Sequence, residues 1–420
     1  MRMRRGATRL AGLVVVTAVV ALATPRAAAQ GANVVPGVVL VGLKPAAVTA
    51  DGVRVASGAT GAGDALAAQL GGVEVAPLLP VGSAPRVSAA LTADGLAMAD
   101  LSSVVRLRLR AGEAVDAAVR RLQGHPLVAY VEPDYVAHIL ATPDDPLFGD
   151  QWGLARIEAP AAWDVTTGAP TVPIAVIDAG LEVTHPDLAG QLWRNPGEVA
   201  GNGVDDDGNG YVDDLHGWNL FANNADLSDT TGHGTEVAGI VAAASNNAAG
   251  GAGVCWGCRV MVVKVVQAGG TANYSDIAAG VLYAAQKGAR VINLSLGGTS
   301  DSVTLRSAIA QAAQTATVVA GVGNANAATK IYPAAYDDHV IAVAGTGPTD
   351  AKAATSNYGA WVDLAAPGEQ ITTTFPGGTW GVTSGTSMAA PFVAGVAGLV
   401  RGAQPGGSGA AGRQHLLRTA

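Results

Sequence analysis

From Val172 onward, short runs that are almost wholly apolar alternate with segments of helical length, and that alternation narrows the fold more than any other feature. The apolar runs are "VPIAVID" (172–178), "RVMVVKVV" (259–266), "RVINLSLG" (290–297), "TVVAGVG" (317–323) and "VIAVAGTG" (340–347). A strand with one face in water alternates apolar with polar residues; these do not, so both faces must be covered. Between and after them, "GTEVAGIVAAAS" (234–245), "YSDIAAGVLYAAQKGA" (274–289), "SVTLRSAIAQAAQTA" (302–316), "AAPFVAGVAGLVRGA" (389–403) and "GRQHLLRTA" (412–420) read as helices. Strands joined by helices predict an α/β unit with a mostly parallel sheet covered on both faces. Active sites of such sheets lie beyond the carboxyl ends of the strands.

The preceding residues follow other rules. Met1 to Arg9 holds four arginines, Leu10 to Ala23 is an apolar run of fourteen, and Ala27-Ala28-Ala29 offers small residues for cleavage. That is the layout of a secretory signal peptide over 1–29, and the run falls short of the roughly 20 residues a spanning helix needs. Residues 30–141 carry strand-like "GVVLVGL" (37–43) and "VVRLRLR" (104–110), helical "EAVDAAVRRLQG" (113–124), and "LVAYVEPDY" (127–135), a strand that Pro133 should end. A small α+β module follows, partly irregular between 50 and 100. "ATPDDPLF" (141–148) is a linker, and 142–420 is the α/β unit.

Charge bears on partners. From Thr142 onward there are 12 Lys and Arg against 24 Asp and Glu. Nucleic acid rewards the opposite sign, whereas clustered carboxylates suit cations. The only two cysteines, Cys255 and Cys258, lie in "GVCWGCRV". A local disulfide, two buried thiols and a redox pair are all open readings, and no further zinc ligands stand nearby.

Three loops carry chemistry. Asp178 ends a buried strand, where a charge needs a partner. His233 sits between glycines before a helix in "TTGHGTEVAG", and Ser387 opens the last long helix in "SGTSMAAP". The serine is a weak nucleophile alone; the imidazole would take its proton and the carboxylate would orient the imidazole. Ser384 reads as a cap or turn residue.

The chain order Asp, His, Ser is that of subtilisin, and the segments themselves resemble those of the subtilisin family of serine proteases. "AVIDAGLEVTHPDL", "GHGTEVAG" and "GTSMAAPFVAG" are similar to its three triad segments, "INLSLGG" and "VVAGVGN" to its substrate-binding segments. The resemblance spans about 142–420 and implies the three-layer subtilisin-like fold. It implies a serine endopeptidase acting on proteins or peptides, secreted and monomeric, with no membrane attachment once the signal is removed. It further implies that Asn324 holds the oxyanion, that Ser295, Leu296 and Gly297 wall the specificity pocket, and that Ile331 shortens its base. The 30–141 module resembles the inhibitory prosegment, chiefly through "HPLVAYVEPDYVAHIL", with self-cleavage within 138–142. Ala179, Glu236 and Phe392 depart from the family's usual residues; Glu236, three residues from His233, has two open readings, a carboxylate that raises the His233 pKa or an ordinary helix-start carboxylate. Two rivals are an inactive relative that only binds proteins and an esterase; for the second, the G-x-S-x-G elbow is missing.

Calcium is the expected cofactor. In "DDDGNGYVDDLHGW", Asp205, Asp207 and Asn209 alternate, Gly210 turns the chain and Tyr211 offers a carbonyl, as in an EF-hand loop. His216 replaces the closing Glu, so Asp213 or Asp214 would complete the shell. A second site is implied by resemblance alone: Asp145, Asp187 and Asn247, with carbonyls of Ala244, Ala249 and Gly251.

Overall fold

The computed structural model describes residues 34–44, 62–78, 101–135 and 142–420. The expected signal peptide and most of the expected cleavage segment lie outside the described residues. The chain divides near residue 138 into two compact units.

The N-terminal unit is an antiparallel sheet of β1 (Val34–Leu43), β2 (Glu74–Pro77), β3 (Val104–Arg108) and β4 (Val128–Tyr135), in the order β2-β3-β1-β4. Alternation in "VVRLRLR" sends Val105 and Leu107 inward, where they join Val39, Val41, Leu70, Ala118 and Leu122. Helices α1 (Ala62–Gln69) and α2 (Val115–Leu122) supply the last three of these or flank them. Pro133 does not end its strand, which runs on to Tyr135. β4 is an edge strand, and there a missing N–H costs no ladder bond.

The second unit is built on seven strands: β5 (Pro173–Asp178), β6 (Gly217–Asn219), β7 (Arg259–Lys264), β8 (Val291–Leu294), β9 (Thr317–Gly321), β10 (Val340–Thr346) and β11 (Leu364–Pro367). Their order is β11-β10-β9-β8-β5-β7-β6, and every pairing is parallel. Apolar side chains leave both faces of these strands. One face packs under α3 (His233–Ala242) and α6 (Thr386–Ala403), the other under α4 (Tyr274–Gln286) and α5 (Val303–Ala312). The expected three-layer α/β fold is the observed one. α7 (Gly409–Thr419) closes the chain.

The apolar runs overshoot the strands: β8 stops at Leu294 and leaves Ser295–Gly297 free of the ladder. The hairpin of β12 (Ile371–Phe375) and β13 (Thr379–Thr383) has no apolar signature of its own and was not expected. Strand order reverses at β5, which has β8 on one side and β7 on the other. The crevice beyond their carboxyl ends is the predicted place for chemistry. Cys255 and Cys258 form a disulfide inside the core. Among the described residues, no helix is long and apolar enough to cross a membrane.

Candidate active site

Asp178 is the last residue of β5 and only 2% exposed. Its Oδ1 accepts the Ala179 N–H at 2.8 Å and faces His233 Nδ1 at 2.8 Å. Its Oδ2 is buried without a hydrogen-bond partner, and the methyl of Ala179 has nothing to donate. An anion so placed favours the imidazolium, since little water shares its charge. The His233 pKa is accordingly pushed up to about 9, by Asp178 first, with Glu236 and Asp229 adding and burial opposing. Of the two readings of Glu236, the one that raises the His233 pKa is present.

His233 opens α3, and Asp229 fixes that opening. Asp229 Oδ1 accepts the N–H groups of Thr231 (3.0 Å) and Gly232 (2.8 Å), and Oδ2 accepts the N–H and hydroxyl of Thr235 (2.8 and 2.7 Å). These are helix N-terminal donors that the helix itself cannot satisfy. The buried Lys264 holds the same loop by donating to the Ser228 carbonyl at 2.6 Å. Sequence reasoning missed both residues; the Asp four positions before the histidine was the available sign. Gly234 is needed for close approach, because a Cβ there would lie 2.0 Å from the Gly180 carbonyl oxygen.

Ser387 is the second residue of α6. Its hydroxyl is turned to the Ser295 carbonyl at 3.3 Å rather than to the imidazole. Such loosening is common in unliganded sites, and rotation about χ1 redirects the hydroxyl. Asn324 follows β9, and its Oδ1 accepts the Thr386 N–H at 2.8 Å. That bond fixes which side of the amide is left to donate. Gly385 has φ +151°, and a Cβ there would stand 3.3 Å from Asn324 Nδ2 and 3.7 Å from the Ser387 nitrogen. Asn324 Nδ2 and the Ser387 nitrogen thus both border the space over Gly385. Ser384 shapes the turn, its Oγ accepting the Gln370 N–H at 2.9 Å.

The segment after β8 is bridged to the segment at 331–332, Gly298 and Tyr332 exchanging backbone bonds of 2.9 and 2.7 Å. Ile331 fills the space between the two strand ends. A Cβ on Gly297 would meet its Cγ2 at 2.8 Å, and one on Gly323 would meet its Cγ1 at 3.0 Å. Leu296 is half-buried beside it.

A profile of the subtilase family matches residues 170–420. The chain belongs to the subtilase family. A thermophilic serine proteinase from a Bacillus species is 40% identical over 308 residues, 73% of this chain and 71% of that one. Thermitase from Thermoactinomyces vulgaris is 41% identical over 261 residues, 62% of this chain and 85% of its own. A solved protease structure from Pseudoalteromonas arctica superposes with a TM-score of 0.57 at 31% identity, covering 66% of this chain and 91% of that one. This subtilase is a serine-type endopeptidase by class.

One acidic loop of the subtilase fits a cation. Carboxylate oxygens of Glu198, Asp205 and Asp207 lie within 4.8 Å of one another. Glu198 is 4% exposed, and its Oε2 is buried with no hydrogen-bond partner, an uncompensated charge that a cation would satisfy. Asp205 and Asp207 are where the sequence put them, with Asn209 turning the loop through its N–H to both. Asp214 is not with them. It is fully buried, accepting from Tyr283 Oη (2.8 Å) and Asn195 Nδ2 (2.6 Å), and Glu198 stands in its place. The reason is apolar: Tyr211 wedges its ring between Trp218 and Tyr283, and Asp214 goes under with them. Lys287 was also unforeseen; its Nζ lies 2.6 Å from Asp207 Oδ2 and 3.3 Å from Asp214 Oδ2.

The second expected set is brought together but already satisfied. Asp145 accepts the N–H groups of Asn246 and Asn247, and Asp187 accepts Asn247 Nδ2 (2.9 Å) and Trp380 Nε1 (2.7 Å). These donors give the second set no observation of its own in favour of an ion.

Proposed function

We propose that this subtilase is a secreted, calcium-stabilised endopeptidase acting through Asp178, His233 and Ser387, made as a precursor whose N-terminal unit is its inhibitor. The observation that carries the reading is the buried Asp178–His233 pair at 2.8 Å, with Asn324 and Ser387 amides converging on Gly385. Neutral His233 takes the Ser387 proton as Oγ attacks a peptide carbonyl. Asn324 Nδ2 and the Ser387 N–H receive the oxyanion. The imidazolium, held by Asp178, then protonates the leaving amine, and water hydrolyses the acyl-enzyme by the same steps reversed.

Proteins and peptides are the substrates, with Ser295–Gly297 pairing the acyl side and Ile331 limiting the pocket. Glu198, Asp205 and Asp207 would hold Ca²⁺, which supplies structural cross-linking and no catalytic step. Export rests on the pattern of residues 1–29, and autoinhibition on residues 30–141 with cleavage within 138–142. The mature unit acts as a monomer.

A fluorophosphonate probe tests the core of this. It should label the purified mature form and fail to label Ser387→Ala. No labelling of the wild type would favour a protein that only binds in the cleft. Mass spectrometry of the exported product should place its N-terminus near residue 142.

A further inference from the structure

Asn324 sits in an exposed loop just past the end of β9 at Gly321, and its neighbours there belong to no strand or helix. A donor meant for an oxyanion has to be held to about half an ångström. The bond from the Thr386 N–H to Asn324 Oδ1 turns the amide but leaves open what fixes the backbone that carries it.

One side chain from a distant segment does so. Asn357 is fully buried, and its amide reaches the backbone on both sides of Asn324. Its Nδ2 donates to the Val322 carbonyl at 2.9 Å, and its Oδ1 accepts the N–H groups of Ala325 and Ala327, each at 3.0 Å. Its own N–H donates to the Gly323 carbonyl at 2.9 Å. A flipped amide would set its NH2 against two N–H donors, so the orientation is fixed. Gly323, at φ +96°, makes room: a Cβ there would stand 2.8 Å from Asn357 Nδ2. Asn357 is anchored in turn to β10, because the Ser356 hydroxyl donates to its carbonyl at 3.0 Å and accepts the Gly345 N–H at 3.1 Å.

We propose that Asn357 is a positioning residue for the oxyanion hole, which sets the place of Asn324 Nδ2 by clamping the loop before and after it. The inference rests on the oxyanion role proposed for Asn324 above. Full burial keeps Asn357 itself away from substrate, so its effect passes through Asn324. Without its side chain, the backbone groups of Val322, Ala325 and Ala327 lose their partner, and the loop is free to shift. A group displaced by about 1 Å can cost about 100-fold in rate. Asn357 makes no hydrogen bond to Ser295–Gly297, the segment that pairs the acyl side, so the loss belongs in kcat and not in KM.

The test is a double-mutant cycle on the mature enzyme with one peptide amide, enzyme concentration being set by fluorophosphonate titration taken to completion. Asn324→Ala alone should lower kcat about 100- to 1000-fold. Asn357→Ala should lower kcat about 10- to 100-fold and move KM less than about twofold. In the Asn324→Ala background the same change should cost less than about threefold, because the donor it positions is gone. A loss of equal size in both backgrounds, a loss confined to KM, or no loss overturns the proposal. If Asn357→Ala yields no titratable enzyme, Asn357→Asp enters the same cycle. It keeps the volume and both accepted N–H bonds but sets an oxygen against the Val322 carbonyl. Failure of both variants to mature would make Asn357 a folding residue and overturn the proposal too. An unchanged kcat in Asn324→Ala would sink the oxyanion reading and this proposal with it; a loss there beside an unaffected Asn357→Ala sinks only Asn357.

Discussion

The Ser295 hydroxyl donates to the Ser387 backbone carbonyl at 2.8 Å. Pro391, four residues further along α6, is the reason that carbonyl is available. A proline has no N–H, so the helix cannot supply the bond that Ser387 would otherwise receive. Ser295 fills the gap, and Asn293, fully buried, holds Ser295 in turn through Nδ2 at 3.0 Å. From the other side Thr386 is gripped by Asn324 Oδ1 and by the Gly323 N–H at 3.0 Å. The Ser387 backbone is thus fixed from the ends of β8 and β9 at once.

Ser295→Ala should therefore lower kcat more than it raises KM. Loss of one hydrogen bond worth about 1 kcal/mol corresponds to about fivefold in rate if it is felt at the transition state. Ser295→Thr, which keeps the hydroxyl, should restore part of it. Steady-state kinetics on one peptide amide checks this. A pure KM effect would mean that Ser295 only lines the pocket.

The pH dependence follows from His233. Its pKa of about 9 lies above the ordinary 6.5, chiefly because of Asp178, so the basic form grows as pH rises toward about 9. For the free enzyme kcat/KM should climb through neutral pH, with its inflection at about 9, and level off only above that. Glu236→Gln removes one of the contributing anions and should move the inflection down. For stability, a folded pKa above the unfolded one means the ion pair contributes fully below pH 6.5 and is lost between there and about 9. Chemical denaturation of Ser387→Ala, which cannot digest itself, should show that loss relative to a Ser387→Ala/His233→Asn pair. An inflection near 6.5 instead would contradict the described electrostatics.

Ile331→Gly should open the specificity pocket. Ile331 touches the space over both Gly297 and Gly323, so its removal empties the gap between the ends of β8 and β9. The preference should shift toward bulky aromatic residues before the scissile bond, by about tenfold for the several methylenes' worth of volume released. A peptide library read by mass spectrometry would show it; an unchanged preference would mean the pocket base lies elsewhere.

The fold was largely legible because strands buried on both faces cannot disguise themselves: "VPIAVID" and "TVVAGVG" have only one use in a sheet. Strand ends were less so, since Ser295–Gly297 continue the apolar run of β8 but leave its ladder. The candidate triad could be proposed because Asp178, His233 and Ser387 sit at strand or helix ends with distinctive neighbours, and the structure brings the first two within 2.8 Å. Asp229, Lys264 and Glu198 could not. They act through backbone groups or through space: Asp229 shows only as an acid four residues before the histidine and Lys264 only as a charge inside an apolar run, and neither pattern names the partner that makes the residue matter. Asp214 was misjudged for the same reason: burial depends on the partners Tyr211, Tyr283 and Asn195, two of them distant in sequence.

Calcium should stabilise the mature unit through Glu198, Asp205 and Asp207, and Lys287 should oppose its binding. The ammonium at 2.6 Å from Asp207 already neutralises part of the cluster, so an incoming ion displaces or crowds it. Calcium at about 100 times its Kd adds about 2.7 kcal/mol, or a Tm rise of about 5–10 °C for a unit of this size. Glu198→Gln removes the carboxylate of this cluster that has a buried, unpartnered oxygen and should cut that rise by half or more. Lys287→Met should do the opposite. Without calcium its Tm falls, because Asp207 and the buried Asp214 lose their cation. With calcium most of the loss is recovered, so the response to the ion grows. Differential scanning calorimetry on the Ser387→Ala background, with chelator and with calcium, gives all three responses. An equal calcium response in wild type, Glu198→Gln and Lys287→Met would remove the ion from this loop.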